Sequence, residues 1–187
     1  RLHGGREAYA RWLEGIFTDT RPIGGEQHVD ISGFIGRYAH GDEPGHHMAW
    51  LFNLTGAPWL TQLYVNRLIR EMYADRPDGL VNNEDLGQMS AWYVLATLGF
   101  YPVAPGDLTY QLAAPHHRRA TIKLESGRRF VVEADNLTPE NIFVQSATLD
   151  GKPYPHSYIR HDRIMAGGVL RFEMGPKPNR AWGSDPR

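Results

Sequence analysis

Apolar positions follow two periods along this chain, helical before Pro105-Gly106 and alternating after it. Residues Glu7 to Glu14 hold Tyr9, Trp12 and Leu13 near helical spacing. Pro44 opens a second helical stretch through Met48, Ala49, Leu51, Phe52 and Leu54, which Gly56 ends. Pro58 starts a longer helix with a stripe of Leu60, Leu63, Tyr64, Ile69, Met72 and Tyr73. A further helix is predicted from Asp85 to Leu98, with Asp85 near the N-cap, Gly99 as the stop and most of its surface buried. Beyond Pro105 the segments Thr121–Leu124, Arg129–Ala134, Ile142–Leu149 and Val169–Met174 read as strands. Asp150-Gly151 is a hairpin-turn signal, and Gly175-Pro176-Lys177-Pro178 ends regular structure. Helices followed by strands predict an α+β fold with segregated layers rather than a βαβ sheet. The expected division is a helical part, residues 1–105, and a β-rich part, residues 106–187.

Composition narrows the class. With 187 residues, 41 % hydrophobic and 22 % charged, the chain has the makeup of a globular domain with its own core. A net charge of −1 offers no basic field for nucleic acid or an anionic membrane. No apolar run approaches the roughly 20 residues that span a bilayer. The absence of cysteine excludes disulfides, zinc thiolates and a cysteine nucleophile. The start at Arg1 carries no signal-peptide pattern and lies in a helical pattern, so the chain is expected to be the carboxyl-terminal piece of something longer.

Ionisable and amide residues concentrate in two segments, each just before a helix: His40 to His47 and Asn82 to Gln88. Carboxylates there serve equally as helix caps, as a general acid and base pair for glycoside hydrolysis, or as oxygen ligands for a hard cation. Histidines 40, 46 and 47 also allow zinc, although Glu43-Pro44-Gly45-His46 does not reproduce a helical His-Glu-x-x-His arrangement. His116-His117-Arg118-Arg119 reads as a solvated turn, and the Asn-Leu-Thr sequons at Asn53 and Asn136 carry no argument.

Ile31-Ser32-Gly33-Phe34-Ile35-Gly36-Arg37-Tyr38-Ala39-His40-Gly41-Asp42-Glu43-Pro44-Gly45-His46-His47 resembles a signature of the calcium-dependent α-mannosidases of glycoside hydrolase family 92. So do Asn83-Glu84-Asp85-Leu86-Gly87-Gln88-Met89-Ser90-Ala91-Trp92-Tyr93-Val94, Gly99-Phe100-Tyr101-Pro102, Gly167-Gly168-Val169-Leu170 and Pro178-Asn179-Arg180-Ala181-Trp182-Gly183. The resemblance implies a helical segment of an (α/α)6 toroid followed by an antiparallel, β-sandwich-like carboxyl-terminal segment. It implies a secreted or periplasmic enzyme that removes terminal α-mannose from glycans by inversion, with Ca2+ as cofactor. Neither nucleic acid nor a membrane is an expected partner. Carried onto this chain, Asp85 is the base and Glu84 its helper. Asp30, Glu43 and Asn83 are the metal candidates, and His40, Glu43, His46, His47 and Gln88 are substrate-binding or supporting.

The family's general acid sits in a Glu-Gly-Asn-Ala-Trp-Gln-Tyr-like segment, and none of Glu7, Glu14, Asp19, Glu26 or Asp30 lies in that context. The acid is therefore expected upstream, in a missing part of the same enzyme, and the chain alone is expected to be inactive. Asp42 replaces the family's usual Asn, Gly45 a Ser and Asn82 a Gly. The alternative from another class is a carbohydrate-binding or structural module on the same scaffold.

Overall fold

Proline and glycine punctuate the helices where their backbone preferences dictate. The computed structural model describes residues 3–22, 24 and 31–185. Helix α1 (Arg6–Thr18) leads to a short hairpin, β1 (Phe34–Ile35) with β2 (Tyr38–Ala39). Two 3-10 turns, Glu43–Gly45 and Met48–Trp50, precede α2 (Phe52–Thr55). The single helix predicted from Pro44 onward is thus broken. Ala49, Trp50, Phe52 and Asn53 are nevertheless all buried.

Gly56 ends α2 in the left-handed conformation at φ 82°, where a side chain carries a steric cost. Helix α3 (Pro58–Met72) begins with proline at its first position, where the missing N–H would have had no helical partner. It buries Tyr64, Val65, Leu68, Ile69 and Met72 on one face. Helix α4 (Gln88–Leu98) starts three residues later than its capping signal predicted. Asp85, Leu86 and Gly87 take φ of 46°, 56° and 88°, so Gly87 is the N-cap and Asp85 stands outside the helix. The helix is also less buried than its composition predicted: Trp92 is fully enclosed, whereas Val94 is 53 % exposed.

The second half forms two sheets. Strands β3 (Phe100–Tyr101), β4 (Thr109–Leu112) and β9 (Tyr158–Arg160) pair antiparallel in the order β3-β4-β9. The larger sheet is built from β5 (Arg119–Lys123), β6 (Arg129–Asp135), β7 (Phe143–Leu149), β8 (Lys152–Pro153) and β10 (Gly168–Gly175), in the order β5-β6-β10-β7-β8. Strand β10 runs antiparallel to β7 but parallel to β6, which corrects the all-antiparallel expectation. A parallel pair needs a long crossover, and here β7, β8, β9 and the short helix α5 (His161–Met165) lie between the two partners. The Asp150-Gly151 turn joins β7 to β8 as expected, with both residues at positive φ as a type I′ hairpin requires.

Two cores result. Leu13, Phe17, Tyr38, Trp50, Phe52, Tyr64, Leu68 and Trp92 pack between the helices. Phe100, Leu112 and Ile159 of the small sheet meet Phe130, Val132, Val144, Leu170 and Phe172 of the large one in the second. Buried amides tie the cores together. Asn53 Nδ2 donates to the carbonyls of Leu112 and Ser157, both at 2.8 Å, and the Val144 N–H donates to Gln62 Oε1 at 2.9 Å. Asn53 and Gln62 are each 1 % exposed, so neither interaction competes with bulk water.

Candidate functional site

Two loops that lie some forty residues apart in sequence are stitched together by short polar contacts. Ser32 Oγ donates to the Val81 carbonyl at 2.7 Å, and Asn82 Nδ2 donates to the Gly41 carbonyl at 2.8 Å. Gly41 is required at this crossing, because a Cβ would stand 2.7 Å from Ser32 Oγ and 2.8 Å from Asn82 Cβ. Asn82 is outside the positive-φ set, so its work is done by its side chain rather than by a left-handed backbone.

The stitching brings Glu43 and Asp85 together. Glu43 has its carboxyl pKa raised, first by hydrogen bonding with the Asp85 carboxyl, then by burial, with the Asp85 and Asp42 charges adding to it. Glu43 Oε1 is buried without a hydrogen-bond partner. A buried acceptor beside a second carboxylate calls for a proton or a cation. Asp85 sits on the left-handed Asp85-Leu86-Gly87 turn, and Leu86 beside it is fully exposed. Non-glycine residues in this region cost on the order of 1–2 kcal/mol each and persist where the surroundings demand them.

Glu84 is committed elsewhere. Its carboxylate accepts the Ser90 N–H at 2.9 Å and the Ser90 hydroxyl at 2.7 Å, so it caps the first turn of α4. Asn83 is exposed on the same loop, and His47 is half-buried. Asp30 lies outside the described residues.

Behind the carboxylates lies a floor of buried rings. Tyr73 donates its hydroxyl to the Met89 carbonyl at 3.1 Å, so the oxygen accepts from His40 Nε2 at 2.8 Å. His40 Nδ1 then accepts from the Tyr38 hydroxyl at 2.9 Å. His46 Nε2 donates to the His40 carbonyl at 2.8 Å, which leaves Nδ1 to accept from Gln88 Nε2 at 3.1 Å. These partners assign both rings as neutral tautomers. Burial, reinforced by the His46 ring, pushes the His40 pKa down to about 3. Burial likewise lowers the pKa of His46. The rings stack 4.6 Å apart, with Trp92 edge-on to His40, and the Trp92 indole N–H donates to the His46 carbonyl at 3.1 Å. His40 and His46 are 0 % and 1 % exposed and so support the loops from beneath.

Among the described residues no group of three or more His, Asp or Glu is arranged to hold a metal ion. What this chain offers a cation is oxygen: the unpartnered Glu43 Oε1, the neighbouring Asp85 carboxyl and the exposed Asn83 amide. That donor set suits a hard ion such as calcium and not zinc, since both buried imidazoles have their nitrogens occupied. The sequence pattern missed Tyr38, Tyr73 and Tyr101 as partners of this floor. Tyr101 joins through Gln88, whose Nε2 donates to its hydroxyl at 3.2 Å.

The family model for the glycosyl hydrolase family 92 catalytic domain matches residues 1–176. The chain belongs to this family. A family GH92 α-mannosidase from Bacteroides thetaiotaomicron, solved in complex with mannoimidazole, is 38 % identical and superposes with a TM-score of 0.91. That match covers 97 % of this chain and 24 % of the other. An inverting GH92 mannosidase from the same organism is 31 % identical at a TM-score of 0.85, over 99 % of this chain and 26 % of that one. A curated relative, an uncharacterized secreted glycosidase of Arthroderma benhamiae, is 31 % identical over 147 residues, 77 % of this chain and 19 % of the relative. The chain therefore spans about a fifth to a quarter of the length of these relatives.

Proposed function

We propose that this GH92 chain carries the base side of the active site of an inverting exo-α-mannosidase acting on terminal α-mannosides of glycans. The observation that carries the reading is the Glu43–Asp85 carboxyl pair, held where the two family loops cross. Asp85 is the general base: exposed, on a left-handed turn, it is placed to take a proton from the attacking water. Glu84 fixes that turn by capping α4. Gln88 and His47 line the substrate side, while His40 and His46 hold the loops in register.

Glu43, Asn83 and Asp30 are the residues of this chain offered to calcium. When bound, calcium supplies positive charge that orients and polarises sugar hydroxyls. The general acid, which protonates the leaving oxygen, comes from the remaining length that the relatives possess. In this reading residues 1–105 are part of an (α/α)6 toroid, and residues 106–187 are the β-rich segment that buttresses it. The secreted relative supports an extracytoplasmic enzyme, and no described helix is long and apolar enough to cross a membrane.

The test is hydrolysis of an aryl α-mannoside by the chain alone and by an enzyme of the relatives' full length that contains it, each with and without EDTA. The reading expects turnover only from the longer enzyme, loss of that turnover with EDTA, and a β-mannose first product by NMR. Full-rate hydrolysis by the chain alone would overturn it, because a missing general acid costs roughly 10²–10⁴-fold.

A further inference from the structure

In the run His116-His117-Arg118-Arg119 the last three residues are exposed, as their charge predicted, but the first is not. His116 is half-buried, and its backbone N–H donates to the Thr97 carbonyl at 2.8 Å. It lies in a cleft of about 380 Å³ between α3 and the sheets, well away in composition from the Glu43–Asp85 cluster. Arg70, His116, His117 and Arg118 bring nitrogen donors into this cleft, Asn66 adds an amide, and no carboxylate lines it. Among the described residues Arg70 and Arg118 take part in no salt bridge, whereas eight other arginine side chains do.

Arg70, Asn66 and His116 are held in place. Arg70 Nη2 donates to the Pro139 carbonyl at 2.9 Å, which anchors one edge of the guanidinium and leaves its other N–H groups free. Asn66, 7 % exposed, donates through Nδ2 to His116 Nε2 at 3.1 Å, so His116 keeps its proton on Nδ1 as a further donor. The His116 pKa is lowered to about 4 by burial first and then by the charge of Arg70 and the His117 ring. Ala114, Pro115, Leu137 and Ile142 supply apolar walls that keep the local dielectric low and strengthen charge attraction. The Thr138 hydroxyl is already donated to Glu140, at 2.9 Å, and is not counted among the donors.

We propose that this cleft binds a small oxyanion, phosphate or sulfate, free or carried on a small organic molecule. Two unpaired guanidiniums and an imidazole N–H around an acid-free cavity are the recognition chemistry of such groups. The volume lies within the roughly 300–1,000 Å³ of small-molecule sites and exceeds what the bare ion needs. The inference is independent of the mannosidase reading.

The experiment is an NMR titration of the chain at low ionic strength with inorganic phosphate, inorganic sulfate and methyl phosphate, following the His116 and His117 ring signals. Saturable shifts are expected, with affinity weakened about tenfold in Arg70→Ala and in Arg118→Ala. The distant Arg128→Ala should leave affinity unchanged. Methyl phosphate binding at least as well as phosphate assigns the site to an esterified ligand; weaker binding assigns it to the free ion. No saturable shift with any of the three anions, or equal weakening by Arg128→Ala, overturns the proposal. Should Arg70→Ala misfold, the exposed Arg118→Ala decides alone.

Discussion

The two halves of the chain solve the same problem, burying a core, with different bonds. Around Trp92 the interior is a stack of Tyr, His, Trp and Phe rings joined by side-chain hydrogen bonds, under a backbone of short turns and left-handed residues. Around Phe172 it is aliphatic and aromatic side chains between two sheets, with the backbone satisfied by regular ladders. The ladder half pays its polar groups internally and has few ionisable residues inside. The ring half leaves carboxyls at its rim, among them Asp85, which is proposed as the base, and Glu43 beside it.

The largest test of that contrast is Asp85→Asn, measured within an enzyme of the relatives' length. Turnover should fall by roughly 10²–10⁴-fold or more with circular dichroism unchanged; retained turnover would remove Asp85 as the base. Next is Phe172→Ala in the ladder half, which empties a fully buried site and should cost about 3–5 kcal/mol in urea unfolding. It should not perturb the His40 and His46 NMR signals, whereas Trp92→Ala should both destabilise the chain and shift them.

Asn53→Ala tests the seam. It removes the Asn53 donor from the Leu112 carbonyl, at about 1–3 kcal/mol, and one of two donors from the Ser157 carbonyl, which keeps the Leu112 N–H at 2.8 Å. If the halves are coupled mainly there, unfolding should split into two transitions; one sharp transition would show that packing alone couples them.

Acid provides a smaller, graded probe of the ring half. His40 in the folded chain stays neutral down to about pH 3, whereas an unfolded histidine takes a proton near 6.5. The unfolded state binds more protons in that window, so stability present above pH 6.5 is lost as the pH falls toward 3, at no more than about 1.4 kcal/mol per pH unit. Denaturant midpoints measured from pH 7 to pH 4 should show this slope, and His40→Gln should reduce it, leaving the part that His46 and His116 contribute. The smallest effect belongs to the ladder half: Asp150→Ala removes the 2.8 Å bond from the Val169 N–H to Asp150 Oδ1 at an exposed turn, for about 1 kcal/mol of thermal stability.

The elements that were legible in the chain are those decided locally. The Pro58 start and Gly99 stop, the Asp150-Gly151 hairpin and the strands at 119–123, 129–135, 143–149 and 168–175 all follow from residue preference and period. The short strands β3, β4 and β9 were not legible, since two to four residues carry no usable period. Nor was the break of the Pro44 helix into two 3-10 turns and the short α2.

By itself the sequence determined the family, the two-part order of helices then strands, and the two polar loops that carry Glu43 and Asp85. Those rest on residue type and near-neighbour spacing, which the chain states directly. Only the tertiary structure decided that Glu43 faces Asp85, that Glu84 caps a helix, and that β10 lies parallel to β6. It also decided that His40 and His46 are neutral and enclosed, and that Arg70 meets Arg118 across a cleft. Each of these joins groups distant in sequence, and such contacts are selected by burial of the whole core rather than by any local preference.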